Sequence, residues 1–488
     1  MSKESIVIRL QLTPSLENVD VLDGQSRICN WLYNHLVEEA AKLKEQFLKN
    51  QDPTAAKNLY TKRGLRNLLP KIKEDHPFLK VVHSSPLKNT ALRLSEAIQS
   101  HQKSKKGKRK GKFVGWPKFR CWKNNWFSLF YDEPEKGFKI EDQMLILSLG
   151  MGQDRKQRSI TIPIPEAHLL KNRTIRNLRI VFELGKYYAI FTIQKELPIQ
   201  KPISKVIAFD PNHKNLAYGV DTDGKAIEIA APIWLKGYDK RLDEIKSKRD
   251  RCNKKSKKAD VLDDKGVPTG KHYFIPSKRW EKYNHTLKSA LRKRREQTKT
   301  FMYTTAHRLC KDYDCIAIGD YTPNGKGITT SMRRAMNNRS LIGRWKETLS
   351  WVTRKSGKLF FEFEEKGTTR TCSQCLYIQE EGIPLAIRQW QCPDCQTKHL
   401  RDENAAINGL RKVLRDLPTK SGGEIPSQVS SSDLDPVKER WAWSVLPSGV
   451  FVMLRGQDRE NSHNSRKLNR ERGSSRSKHD HLITYSQV

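Results

Sequence analysis

The sequence predicts an α/β protein in which a strand–hairpin–helix unit is interrupted by a four-cysteine module and preceded by a β-rich lobe carrying a helical insertion. Three observations carry that expectation. From Lys205 onward, short apolar runs alternate with long helical segments, the pattern of strands and helices packed in layers. Two Cys-x-x-C pairs, Cys372/Cys375 and Cys392/Cys395, stand a short insert apart, as the thiolates of a tetrahedral zinc site do. Directly behind the second pair, Arg401-Asp402-Glu403-Asn404 opens a helix with a carboxylate, while Asp210 ends an apolar strand far upstream.

In chain order, Ile6–Leu12 alternates apolar and polar residues, as a half-buried strand does. Ile28, Leu32, Leu36, Ala40 and Leu43 then recur at helical spacing, and further helix is expected between Thr54 and Ile72 and between Ser85 and Ser100. Residues 101–125 hold ten basic and no acidic side chains, with Phe113, Trp116, Phe119 and Trp122 interleaved. Such a one-signed run is costly without a polyanion, so Lys105, Lys106, Lys108, Arg109, Lys110, Trp116, Lys118 and Arg120 are candidates for nucleic-acid contact, bases on aromatic faces and phosphates on cations. Between 127 and 200 come short strands and turns: Met144–Leu149, Ser159–Ile164, Ile175–Glu183 and Tyr187–Gln194. They read as a barrel-like β-platform completed by the N-terminal strand, so residues 1–200 form one lobe with a helical insertion over about 25–125.

Val206–Asp210 starts the second unit as a buried strand, and Leu216–Val220 and Ala226–Ala230 form a hairpin about Asp221-Thr222-Asp223-Gly224. Long basic helices are expected over 235–260 and 277–312, divided by a turn-rich insert near 263–270. Strand Cys315–Asp320, helix Leu341–Ser356, strand Leu359–Glu364, the cysteine pairs and the Asp402 helix, ending near Leu414, complete it. The expected boundaries are 201–371 and 396–415 for the α/β unit and 372–395 for the cysteine module. Ser, Gly, Pro, Asn and Arg dominate 416–488, which reads as a largely disordered tail, with the apolar run Val450–Leu454 as its one candidate for a docked strand.

A formal charge of +38, from 92 Lys and Arg against 54 Asp and Glu, calls for a polyanionic partner, most simply nucleic acid. Five of the nine cysteines are scattered without a bridge pattern, which fits a reducing compartment and one metal site. No signal peptide and no stretch of transmembrane length is evident, so a soluble, cytoplasmic, nucleoid-associated prokaryotic protein with no membrane partner is expected.

The element order, with Asp210 on the first strand and Asp402 on the last helix, fits a ribonuclease-H-like fold, whose carboxylates hold two divalent ions. Four segments sharpen this: Phe209-Asp210-Pro211-Asn212, Thr368 through Cys375, Trp390 through Cys395, and Arg401 through Ala406. Together they resemble the transposon-encoded TnpB family, relatives of the compact type V CRISPR effectors, over about residues 200–415. Gly115-Trp116-Pro117-Lys118-Phe119 extends the likeness upstream. The resemblance implies a RuvC-like nuclease with an inserted zinc ribbon that carries a guide RNA and cuts double-stranded DNA. It implies two catalytic Mg2+ and one structural Zn2+ on Cys372, Cys375, Cys392 and Cys395. Asp210 and Asp402 match the first and last catalytic aspartates, and Arg401 is a further candidate for nucleic-acid contact. The family's middle glutamate is replaced by Gly319. Glu364, at the end of the neighbouring strand, is the expected substitute, then Asp320. Glu362 lies deeper and Glu365 is expected to face the other way. Two rival readings are a nuclease-inactive RNA-guided DNA binder, motivated by Gly319, and a strand-transfer transposase on the same core.

Overall fold

The computed structural model describes residues 3–455 apart from 110–111, 121–125, 152–155, 200–201, 214, 233, 254, 263–265, 321–339, 385, 422–433 and 435–436. The chain divides into two compact units, Ser2–Glu196 and Leu197–Val488.

In the first unit, β1 (Lys3–Leu12) pairs antiparallel with β7 (Lys186–Glu196), so the N-terminal strand does complete a sheet, of order β1-β7-β6-β2 with β2 (Ser128–Tyr131) and β6 (Thr174–Glu183). A second antiparallel sheet contains β3 (Phe138–Glu141), β4 (Met144–Met151) and β5 (Gln157–Pro163), and the Phe138 and Phe191 rings meet between the sheets at 6.4 Å. The helical insertion begins earlier than its apolar spacing suggested. Ser15 accepts the Asn18 N–H at 3.2 Å and starts α1 (Leu16–Asn50). Then follow α2 (Pro53–Tyr60), α3 (Gly64–Asn67), α4 (Leu69–Asp75) and α5 (Ser84–Lys105).

The second unit is built on a seven-stranded sheet of order β14-β13-β8-β9-β10-β17-β18. Its strands are β8 (Val206–Pro211), β9 (Ala217–Asp221), β10 (Lys225–Ile229), β13 (Cys315–Gly319), β14 (Leu359–Phe363), β17 (Glu439–Val445) and β18 (Phe451–Arg455). The β8-β9-β10 meander is antiparallel, and β13 and β14 add parallel to it. The turn between β9 and β10 closes because the Asp221 carboxylate accepts the Asp223 and Lys225 N–H groups at 3.0 and 2.8 Å. Side chains alternate across this sheet and make two different cores. On one face Ile207, Phe209, Ile316 and Ile318 pack against Phe301 of α7 (Lys278–Asp312) and Trp345 of α8 (Ile342–Lys355). On the other, Val206, Ala208, Ala317 and Phe361 pack against Ala406 and Leu410 of α9 (Arg401–Ser421). Gly409 lets α9 settle there, since a Cβ at that position would run into the Phe363 ring.

Two expectations are corrected. The basic helix expected over 235–260 is α6 (Trp234–Asn253), and the chain then forms a hairpin of β11 (Lys257–Leu262) and β12 (Pro268–Ile275) where helix end and turn were expected. Helices α6 and α7 are joined by the Asp239–Arg294 ion pair at 2.6 Å and a small core of Leu242, Ile245 and Leu287. The region after 416 is not wholly tail: α9 runs to Ser421, β17 adds parallel to β10, and β18 returns antiparallel. Alternating Trp441, Trp443 and Val445 supply an inward apolar row, with Trp443 only 1% exposed. Polar flanks on both sides mask this short strand signal in the regional composition. The remaining expected tail, 456–488, lies outside the described residues.

Candidate active site

Near the end of strand β8, Asp210 stands opposite Tyr218 of β9. Alternation puts Asp210 on the face of Val206 and Ala208, under α9. The same face is carried along β13 by Cys315, Ala317 and then Gly319, and along β14 by Phe361, Phe363 and, two residues on, Glu365. Gly319 pairs with Phe363, and a Cβ at Gly319 would overlap the Glu365 carboxylate. Glu365 therefore fills the space that a side chain on the middle strand would need.

The electrostatics follow from this packing. Part of Asp210 reaches the surface, yet protein atoms surround it densely. Desolvation, then the charges of Glu365 and Asp402, push its carboxyl well above the usual carboxylate range, against the opposing pull of Arg401 and Arg388. Asp210, Glu365 and Asp402 thus share one field. Glu364 is exposed, and only its backbone carbonyl is engaged, by Lys412 at 2.9 Å. Glu362 pairs with Lys346 at 2.6 Å. The Asp320 carboxylate accepts the Glu365 N–H at 3.2 Å, and its own N–H donates to the Phe363 carbonyl at 2.9 Å, so Asp320 holds the Glu365 backbone in place. The sequence places Glu365 behind Glu364 as a candidate, because the β13–β14 register is not written in either strand. The available signal was the spacing Phe361, Phe363, Glu365, in which two inward aromatics fix the parity of the third residue.

Four consecutive side chains in the first turn of α9 each bind different groups. The Arg401 guanidinium donates to the Ile383 and Pro384 carbonyls at 3.1 and 2.6 Å, and burial lowers its pKa. Arg401, expected to touch nucleic acid, thereby anchors the cysteine module. Asp402 is 19% exposed and pairs with Arg388 of that module at 3.3 Å. Glu403 accepts from Tyr218 at 2.7 Å and from Arg440 twice at 2.9 Å. Asn404 is 1% exposed; it accepts the Ser373 N–H at 2.8 Å and donates to the Thr371 carbonyl at 2.8 Å. One turn later Asn408 also donates to Thr371, at 2.7 Å. Asn404 and Asn408 fasten the first cysteine knuckle to the helix that carries Asp402.

The four cysteine sulfurs lie within 4.8 Å of one another, with Cys372–Cys395 and Cys375–Cys392 both at 3.6 Å. Four sulfurs about 2.3 Å from a tetrahedral ion stand about 3.8 Å apart, so the group fits a metal of that geometry. Leu376 and Gln396, with φ of 67° and 59°, turn the chain after each pair. The Gln374 N–H points at the Cys372 sulfur from 3.3 Å, and His399 Nε2 lies 3.0 Å from the same atom. Among the described residues this is the group gathered closely enough to hold an ion as it stands. The three carboxylates fit a different class of ion: they are oxygen donors whose mutual repulsion a divalent cation relieves.

In the first unit the basic segment separates into two sets. Lys105, Lys106, Lys108, Arg109 and Lys118 are exposed, as are Phe113 and Phe119 at 68% and 59%. Trp116 instead packs edge-on to His101 at 5.5 Å and receives Lys44 over its ring at 4.5 Å. Arg120 stacks on Tyr33 at 3.7 Å, and its N–H donates to Asn34 at 2.7 Å, which makes it part of the packing. Lys110 lies outside the described residues. Also among the described residues, no helix is long and apolar enough to cross a membrane.

Three comparisons agree with this construction. Residues 343–409 match the family described as Cas12f1-like, TNB domain. Two proteins of Mycobacterium tuberculosis are each 23% identical over 341 residues, 65% of this chain and 65% of theirs: "Putative RNA-guided DNA endonuclease MT2953" of strain CDC 1551 / Oshkosh and "Putative RNA-guided DNA endonuclease Rv2885c" of strain ATCC 25618 / H37Rv. The chain thus spans about two thirds of the length of these curated relatives. Among solved structures, the protein of a Cas12f1–sgRNA–target DNA complex is similar with a TM-score of 0.50 at 11% identity, over 83% of this chain and 98% of that one. The chain thus resembles these proteins in a domain that runs from α8 into α9, and it shares the fold of the Cas12f1 protein.

Proposed function

We propose that this protein is an RNA-guided DNA endonuclease, and that Asp210, Glu365 and Asp402 form its cutting site. The observation that carries the reading is the Glu365 carboxylate seated where a Gly319 side chain would lie, on the face of Asp210 and under the Asp402 helix. It supports an intact three-carboxylate site and removes the motive for a nuclease-inactive binder. Glu365 takes the role expected of Glu364, whose side chain stands on the opposite face.

A pair of divalent ions such as Mg2+, when bound, supplies charge stabilisation for the attacking and leaving oxygens of a phosphodiester. The chain's own residues do the rest. Asp210, Glu365 and Asp402 would hold these ions, whose positive charge would offset the mutual repulsion of the three carboxylates. Arg388, half-exposed and paired with Asp402, supplies a cation beside the site for a DNA phosphate. Asp320 and Lys346 keep the Glu365 loop from swinging away. In-line attack by water leaves a 5′-phosphate and a 3′-hydroxyl. The ribbon cysteines hold Zn2+ in a structural role, since four thiolates leave no open position. Exposed Lys105, Lys106, Lys108, Arg109 and Lys118, with the basic faces of α6 and α7, follow the backbones of guide RNA and target DNA, while base pairing reads sequence.

The test is to sequence RNA that co-purifies when the chain is expressed with its native flanking DNA, then to assay cutting of a matching duplex. One enriched RNA with a constant scaffold, cutting by the wild-type complex, and binding without cutting by D210A are the expected results. Only bulk cellular RNA would overturn the guided reading and favour a transposase or a nonspecific binder.

A further inference from the structure

We propose that the β17–β18 hairpin is a working part of the cutting site and that its Arg440 is a positioning residue for Asp402; this rests on the carboxylate-site reading above. Asp210 of β8 stands opposite Tyr218 of β9, Tyr218 opposite Glu228 of β10, and Glu228 opposite Ala442 of β17. Cross-strand partners share a face, so this row crosses four strands on the side where α9 lies. Arg440 is two residues before Ala442 and emerges on that same side. It reaches Glu403, the residue next to Asp402, through two parallel bonds of 2.9 Å, Nε to Oε2 and Nη2 to Oε1. Tyr218 donates to Glu403 Oε2 at 2.7 Å from the strand beside Asp210.

Glu403 is 9% exposed as a residue, so its charge is held in a place where an unpaired carboxylate is expensive. The guanidinium neutralises it, and the fork geometry fixes its direction as well as its charge. The consequence for the site is geometric. One turn of helix sets the direction of Asp402, and that turn is held on the ribbon side by Arg401 and Asn404 and on the sheet side by Glu403. Without Arg440, Tyr218 is the remaining hydrogen-bond donor to the Glu403 carboxylate among the described residues, and Glu403 must take its other partners from water. The first turn of α9 then rotates toward the ribbon, away from Asp210 and Glu365. A strand pair added after the last helix is in this way coupled to the metal-facing carboxylate of that helix.

The experiment uses the full-length protein and Mn2+ as probe, with binding followed by calorimetry well below the unfolding temperature. D402N defines the signal that belongs to the carboxylate site. R440Q is expected to weaken that Mn2+ binding about tenfold, with far-UV circular dichroism unchanged. R440K, which keeps the charge but not the fork, should fall between R440Q and wild type. E403Q/R440Q should be no weaker than R440Q alone, because the two groups act as one unit. Wild-type Mn2+ binding that D402N removes and R440Q leaves unchanged would overturn this inference alone. Absence of any D402N-sensitive Mn2+ binding in the wild type would overturn the carboxylate-site reading and this inference together. If R440Q does not fold, a weakened R440K with native circular dichroism still supports the proposal, and an unaffected R440K refutes it.

Discussion

The two faces of the seven-stranded sheet are made from the same strands by alternate residues, yet they do different work. On the α7–α8 face the rows end in Phe209 and Ile318 and are sealed by Trp345, which is fully buried. On the α9 face the rows begin apolar, with Val206, Ala208, Ala317 and Phe361, and end in Asp210 and Glu365. A shift of one residue along a strand therefore exchanges a packing position for a chemical one. For the proposed site, strand parity selects Glu365 over Glu364 as the third carboxylate, and nearness to a strand end does not.

The sharpest way to test that contrast is at Glu364 and Glu365, adjacent residues on opposite faces. E365A is expected to reduce target cutting by about a thousandfold or more, the scale of losing charge stabilisation in a preorganised site, and E364A should change it by less than about threefold. G319E should disturb the wild type by evicting Glu365, whereas G319E/E365A, which moves the carboxylate to the middle strand, should recover part of the activity of E365A. Equal loss in E364A and E365A would remove the parity argument. The same contrast has a stability arm. Asp210 holds its proton more tightly folded than unfolded, so in metal-free protein its ionisation weakens the fold as pH rises from about 4 through its raised pKa. D210N should therefore melt a few degrees above wild type at neutral pH without divalent ions while failing to cut. A lower melting temperature would mean that Asp210 is held by bonds to its charged form.

The apolar face makes the opposite prediction. Trp345 meets Phe209 edge-on at 5.5 Å and touches no carboxylate of the site. W345A should cost about 3–5 kcal/mol by leaving a large cavity, read as a shift of the denaturation midpoint with little change in slope. Its cutting per folded molecule should stay near wild type at low temperature. If W345A loses cutting while remaining folded, the two faces are not separable in the way alternation implies.

These comparisons also explain what the sequence disclosed. Asp210, Asp402 and the four cysteines were legible because each sits where local pattern dictates geometry: a strand end, a helix start, a knuckle spacing. Glu365 was not, because its place depends on how β13 and β14 align, a long-range register that neither strand encodes alone. Arg120 and Trp116 looked like nucleic-acid contacts for a related reason. Residue type announces what a side chain can do, but Tyr33, Asn34 and His101 decide what these two actually do. Of the last two strands, β18 showed as the apolar run Val450–Leu454, while β17 was obscured by its flanks, although Trp441, Trp443 and Val445 alternate as plainly as any strand upstream. The Arg401–Asn404 turn was the converse case. Its residues were noticed at once, but their division of labour among ribbon, site, sheet and knuckle needed the packing.

The smallest effect is expected where the strands begin, at the end of the sheet away from the carboxylates. Asp314 precedes β13 and ties three strands together: it accepts from Ser204 and Lys205 ahead of β8 and from Lys358 ahead of β14. Burial alone would raise its carboxyl. The bonds from Lys358 and Ser204, with the N–H groups of Ser204 and Lys205, outweigh burial and hold it at about 2. A depressed carboxyl releases its proton more readily in the folded state, so its stabilisation is complete above the unfolded pKa of about 3.9 and disappears as pH falls toward the folded value. At neutral pH, D314N should cost about 1–2 kcal/mol, discounted from the full shift because solvent screens part of the pairing. Cutting should be unaffected at low temperature, since the site lies at the opposite strand ends. In urea titrations repeated from pH 7 downward, the gap between D314N and wild type should close progressively below pH 4. A gap that stays constant to the lowest pH would locate the loss in hydrogen-bond geometry instead of charge, and would mean that the strand starts are held by shape alone.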